Sequence, residues 1–303
     1  MKIFFKFKYV VIFLSLMIFI ISSNNFIKYK LSRLILSHEF SILPNLVVKK
    51  ISKKTNFDIY QEKVQAALFF NNYVSTHVIP QEINLDDGAS WKLLHGSIWC
   101  DGVSDILNRL LEIIEVRSYL VWLHDDNMNT PHAISMVDFQ DQPLVNGRNS
   151  SLDQKTLYMF DPQNNYLPLS KNNKVVNIEY MIANVEEFKE MEKLNSDNIP
   201  LNLLINKAQL WDRNTFGKDN SIIRNFMKYA IRFLPDFIFE GLIKFSILIN
   251  PKIESKTKDF YLARLDHILL DYKSAQKKYQ LLKDNQVYKK ETTFWLNNFQ
   301  KYN

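Results

Sequence analysis

The chain of 303 residues has a single cysteine, Cys100. One thiol gives a monomer no internal disulfide, no CxxC redox pair and no cysteine-based zinc site. Glycine is nearly as scarce, at six residues, and no Gly-rich phosphate loop, HExxH or GxSxG occurs. Dinucleotide-binding and P-loop folds are thereby excluded. None of the histidines stands at a metal-ligand spacing from another. Asp125, Asn127 and Asn129 imitate the opening of a calcium loop, but its glycine is missing and Met136 stands where the closing glutamate belongs. The reading therefore carries no metal and no cofactor.

At 47% hydrophobic and 23% charged residues, the composition is that of a folded chain, long enough for one large domain or two small ones. The net charge of +6 is unevenly spread: residues 1–60 carry a net +8, residues 61–170 a net −8 and residues 171–303 a net +6. A nucleic-acid binder needs its basic face on the binding domain, and the acidic centre argues against one.

Residues 1–25 read as a membrane anchor or signal segment. Three lysines precede Tyr9–Ile21, an apolar run broken only by Ser15. It is short against the ~20 residues of a full span, although Lys6 and Lys8 can snorkel and lend Phe4, Phe5 and Phe7 to the apolar length. A retained anchor is favoured over a cleaved signal, since no A-x-A-like site and no lipid-accepting cysteine follows. Flanking lysines leave the orientation open, and export of the long remainder is the default.

Residues 26–60 form a basic juxtamembrane segment, and 61–79 read as a helix ended by Pro80. The main globular unit covers 61–172. A mainly helical extension, 173–303, follows, with a helix expected from Ile178 to Leu194. From Arg224 to Lys244 charges recur every fourth residue within an apolar stretch, as a stripe on helices bent or divided at Pro235 and Gly241. Helices packed on the domain and helices lying on a membrane surface both fit. Residues 258–300 are weakly similar to a tetratricopeptide-type helical hairpin, a surface for docking or for an envelope partner.

The chemistry gathers around the lone thiol. Val103, Ile106, Leu107, Leu110, Leu111 and Ile114 follow Cys100 at helical spacing, which puts the cysteine at the start of a buried helix. The unpaired N–H groups and positive dipole end of a helix start stabilise a thiolate. Two alternating strand-like runs come next, Arg117 to Leu123 and His132 to Phe139, then Thr156 to Phe160, closed by Asp161-Pro162. Thiol on a helix start, imidazole on a strand and carboxylate on a neighbouring strand are the parts of thiol acyl transfer. By residue type alone, a single cysteine is more often an inert buried hydrophobe. The ordered set of three favours a triad of Cys100, His132 and Asp161.

The segments GSIWCDGVSDILNRLLEII, EVRSYLVWL, TPHAISMVDF and TLYMFDPQNN together resemble the transglutaminase-like (papain-like cysteine) superfamily, in a membrane-anchored bacterial form. The resemblance covers residues 85–170, with Cys100, His132 and Asp161 on the family's triad positions. It departs at Glu115-Val116, where a glycine usually precedes the arginine strand, and at Tyr158-Met159-Phe160, where a tryptophan is common. It implies an α+β fold, a Cys-bearing helix packed on an antiparallel sheet, with the membrane helix before it and the helical extension after it. It also implies acyl transfer through a thioester to water or an amine, on a peptide, amide or ester substrate. Cys100 N–H would serve the oxyanion hole, with Trp99 or Trp91 as side-chain donor. The expected place is the bacterial inner membrane, with the catalytic domain periplasmic or extracellular. The competing class is a catalytically inactive domain of this fold, an envelope or surface-polysaccharide binding or assembly module.

Overall fold

A computed structural model describes residues 24–37, 40–80, 88–123, 132–138, 157–163 and 222–299. The apolar run Tyr9–Ile21, the calcium-like residues from Asp125 to Asn129 and the helix expected from Ile178 to Leu194 lie outside the described residues.

Three helices come first: α1 (Asn25–Ile35), α2 (Ile42–Ser52) and α3 (Lys63–His77). Asn24 starts α1 by accepting the N–H groups of Phe26 (2.9 Å) and Ile27 (3.2 Å), satisfying two of the helix's orphan donors. After α3 the chain forms β1 (Ile79–Pro80), α4 (Ala89–His95) and β2 (Ser97–Ile98), with β1 and β2 paired in parallel. Gly96, between α4 and β2, has φ +72°, the left-handed conformation in which glycine escapes the Cβ penalty.

Helix α5 (Cys100–Ile113) is the centre of the structure. Ile106, Leu107, Leu110 and Leu111 are fully buried, and the helix packs against α2, α3 and α4. It also packs on a three-stranded antiparallel sheet of β3 (Arg117–Leu123), β4 (His132–Asp138) and β5 (Leu157–Phe160), with β4 in the middle. The register pairs Leu123 with His132 across β3 and β4, and Ser135 with Phe160 across β4 and β5.

The turn from α5 into β3 is made at Glu115. Glu115 sits just past the helix at φ +62°, where the Val116 N–H reaches back to the Leu111 carbonyl (3.0 Å). That is a left-handed helix stop, the position where glycine is cheapest. Glu115 occupies it and pairs with Lys228 at 2.6 Å.

Five helices complete the described chain: α6 (Ile222–Phe233), α7 (Asp236–Ile249), α8 (Ser255–Ile268), α9 (Tyr272–Leu282) and α10 (Lys289–Asn298). Pro235 divides the charged stripe between α6 and α7, whereas α7 runs through Gly241 unbroken. The carboxylates of that stripe turn towards α2. Asp236 meets Lys49 (2.8 Å), Lys53 (2.7 Å) and Lys50 (3.3 Å), and Glu240 meets Lys50 (2.8 Å). Burial alone would raise the Asp236 carboxyl; hydrogen bonds from Lys49, Lys53 and Lys50 outweigh it and hold it well below the usual carboxylate range. One apolar core runs through residues as distant as Leu36, Leu110, Ile243 and Leu265. A second gathers Phe260, Tyr279, Trp295 and Phe299 where α8, α9 and α10 meet. Among the described residues no helix is long and apolar enough to cross a membrane.

Candidate active site

Trp99 has extended backbone (φ −73°, ψ 170°) and Cys100 is the first residue of α5. The first helical bond runs from the Val103 N–H to the Trp99 carbonyl (3.0 Å), so the N–H groups of Cys100, Asp101 and Gly102 precede the helical ladder. The approach to the helix is tight: a Cβ on Gly102 would stand 3.0 Å from Ile98 Cδ1.

The thiol lies against the sheet. Cys100 is 2% exposed and clusters with Leu120 and Ala133, with Trp99 packed alongside. Its Sγ accepts the backbone N–H of Ala133 at 3.4 Å. Ala133 directly follows His132, so the start of α5 and the start of β4 are brought together. The backbone of His132 belongs to β4, and its side chain lies outside the described part of the structure. Asp161 follows the last residue of β5 and is buried; continuing the register by one step sets it beside Ile134, two positions along β4 from His132. The Asp161 Oδ1 accepts the Gln163 N–H at 3.1 Å, which holds the carboxylate in a turn with Pro162.

The two candidate oxyanion donors part company. Trp99 touches the Cys100 cluster, whereas Trp91, on α4, packs on the main core and edge-to-face on Tyr261 of α8, with centroids 6.2 Å apart. The position of Trp91 is one of docking between α4 and α8.

Positioning residues emerge that the sequence reading did not single out. Ser104, one turn after Cys100, donates from Oγ to the Ala133 carbonyl (3.1 Å), and Ser135 donates from Oγ to the Ser104 carbonyl (3.3 Å). Both serines are buried, and together they clamp α5 to β4 at the level of the thiol. Deeper in the helix, Asp105 pairs with Lys92 of α4 at 2.5 Å, with both side chains largely buried. Arg109 is 2% exposed and reaches Glu112 and Ser41. The available signal was polar residues on an otherwise apolar helix: Ser104, Asp105 and Arg109 fall among Val103, Ile106, Leu107 and Leu110.

Two further histidines, His77 and His267, are buried away from the thiol. His77 donates from Nδ1 to the Tyr73 carbonyl (2.8 Å) and accepts the Tyr272 hydroxyl at Nε2 (3.2 Å); burial pushes its pKa down to about 3. His267 is held well below its ordinary value by burial, with His77 and Arg264 adding to the effect. Arg264 is fully buried and donates to the carbonyls of His77 (2.6 Å) and Leu93 (3.0 Å) and to His267 Nδ1 (3.1 Å), with its guanidinium over the Trp295 ring. Its atoms fill the space where a Cβ on Gly96 would stand. Among the described residues no group of three or more His, Cys, Asp or Glu side chains could hold a metal ion. Comparison with protein-family models, with curated proteins and with solved structures finds no match for the chain.

Proposed function

We propose that this chain is a transglutaminase-like thiol acyl-transfer enzyme of the cell envelope, held at the membrane by residues 1–25. The observation that carries the reading is the contact between the Cys100 sulfur at the head of α5 and the N–H of Ala133, the residue after His132. The adjoining β4 carries His132, and Asp161 directly follows β5, which supplies the residue types that thiol catalysis uses.

In the proposed reaction His132 takes the Cys100 thiol proton and the sulfur attacks an amide or ester carbonyl carbon. Electrons shift onto the carbonyl oxygen, which the N–H groups ahead of the α5 ladder stabilise. Collapse expels the amine or alcohol, which leaves with the proton from His132, and the acyl group remains as a thioester on Cys100. Water or an amine then attacks the thioester, gives its proton to His132, and releases the acid or new amide with the thiol restored. Asp161 orients the imidazole and supports its charged form.

Because Cys100 is the only thiol, alkylation reports on it alone. With iodoacetamide at pH 7, the folded chain is expected to react faster than the urea-unfolded chain. His132→Ala should remove that advantage while circular dichroism stays unchanged. A folded chain that reacts more slowly than the unfolded one, with the same rate in His132→Ala, would refute the enzyme. The second reading, an inactive domain serving as an envelope binding or assembly module, is favoured by the burial of Cys100 at 2% exposure. That alkylation result would select it.

A further inference from the structure

The largest anomaly of the surface lies far from Cys100. Among the described residues, nine of the fourteen large hydrophobic side chains left exposed belong to α6, α7 and the Leu234 link between them. Phe226, Tyr229 and Phe233 line one side of α6, and Phe237, Phe245 and Leu248 one side of α7, at exposures of 43% to 77%. The spacing of each set is helical, so each helix shows water a continuous apolar stripe. Soluble monomers rarely leave such a contiguous patch open without a partner.

Three of the charges of these helices are turned to neighbouring elements. Asp236 and Glu240 are tied to Lys49 and Lys50 of α2 and to Lys53 just past its end, and Lys228 is tied to Glu115. Basic residues are carried by these helices and by α1. Arg232 and Lys252 are exposed, and α1, which packs along α7, carries Lys28, Lys30 and Arg33 without a single acidic residue. An Asn250 to Ser32 hydrogen bond (3.1 Å) and Lys252 over the Tyr29 ring (4.0 Å) hold α1 to the end of α7. Helix α1 begins at Asn25, four residues after the apolar run Tyr9–Ile21 ends, and exposes Phe26.

We infer that the α6–α7 face is a lipid-binding surface, which lies in the headgroup boundary of the membrane that residues 1–25 enter. An apolar stripe flanked by lysine and arginine is the chemistry of an interfacial helix on anionic lipid. The 14 residues of α7, charged at Asp236, Glu240 and Lys244, are too few and too polar to cross a bilayer, and suit a helix lying in its plane. The consequence is a fixed pose: the catalytic body sits on the membrane by two attachments, at α1 and at α6–α7, instead of swinging on a single tether. This surface rests on the reading of residues 1–25 as membrane-bound and is independent of the chemistry at Cys100.

The lone cysteine makes the test clean. In a full-length Cys100→Ala background, Phe237→Cys and Phe245→Cys are spin-labelled, with Leu281→Cys on α9, itself 85% exposed, as the control. Each variant is checked by circular dichroism and floated on vesicles of phosphatidylglycerol and phosphatidylcholine. Labels at 237 and 245 should be several-fold more accessible to oxygen than to a nickel chelate, the reverse of the label at 281. Water-like accessibility at 237 and 245 in floated protein would overturn the surface alone. Low accessibility to both reagents would also overturn it, by showing that protein, either a second copy or the chain's own Tyr9–Ile21 segment, covers the face. A chain that fails to float would overturn the surface and the membrane anchor together.

Discussion

The Cys100 sulfur at the start of α5 is met by a backbone N–H of the neighbouring strand, whereas α3 and α4 present their ends to a guanidinium. At the α5 start, the Ala133 N–H of the neighbouring strand points at the Cys100 sulfur. At the α3 and α4 ends, the carbonyls of His77 and Leu93 point at Arg264, a cation with no exposed surface. The single strand donor holds the thiol against β4, while the acceptors gathered round a buried arginine tie α8 to the ends of two helices. Lys49 repeats the second device at the end of α6, donating to the carbonyls of Ile231 (2.8 Å) and Leu234 (2.6 Å). A buried, strongly shifted histidine such as His77 or His267 therefore marks structural packing in this protein, and the proposed chemistry rests on the thiol.

The contrast breaks most directly at Arg264. Arg264→Met leaves two buried carbonyls without their donor, at about 1–3 kcal/mol each, so urea unfolding should show a loss of about 3–5 kcal/mol. Acid should probe the same region. The folded pKa of His77 lies at about 3 against 6.5 for the free side chain, and that of His267 is lowered in the same direction. The unfolded state thus binds protons first: stability is complete above pH ~6.5 and falls as the pH drops towards ~3, by up to about 1.4 kcal/mol per pH unit for each histidine. His77→Gln should flatten that slope in urea melts run across the range.

Cys100→Ala should cost only about 1 kcal/mol, since a small side chain is replaced by a slightly smaller one, while the proposed thioester formation should be abolished. A loss as large as that of Arg264→Met would make the thiol a packing residue and erase the contrast. The smallest effect is expected at Glu115→Gly. Relief of the left-handed conformation should stabilise by up to about 1 kcal/mol, reduced by the loss of the exposed Lys228 pair. A clear destabilisation in thermal melts would show that the ion pair, and not the backbone, governs that turn.

Parts of this arrangement are legible without coordinates because they are local. The spacing from Val103 to Ile114 marks a buried helix with Cys100 at its head, and α5 runs from Cys100 to Ile113. Alternation between Arg117 and Leu123 and from His132 onward marks two of the strands. The clamp of Ser104 and Ser135 was not legible, since 31 residues separate the partners and serine on a helix has no unique meaning. Arg264 was less so, with acceptors 171 and 187 residues away. In the charged stripe of α6 and α7 the repeat was plain, but nothing local says which side of a helix meets its neighbours.

By itself the sequence determined the chemical inventory of the chain: one thiol at a helix start, no second cysteine, no glycine-rich phosphate loop, and an apolar run at the beginning. Those follow from residue identity and short-range periodicity, which coordinates do not alter. Only the tertiary structure decided which polar groups are spent on holding helices together and which face of α6 and α7 is left to the surroundings. The physical reason is that burial and pairing depend on where α2 and α4 lie in space. The same lysine, arginine or histidine is a solvated surface group, a helix stop or a buried rivet according to which backbone carbonyls and carboxylates the fold brings to it.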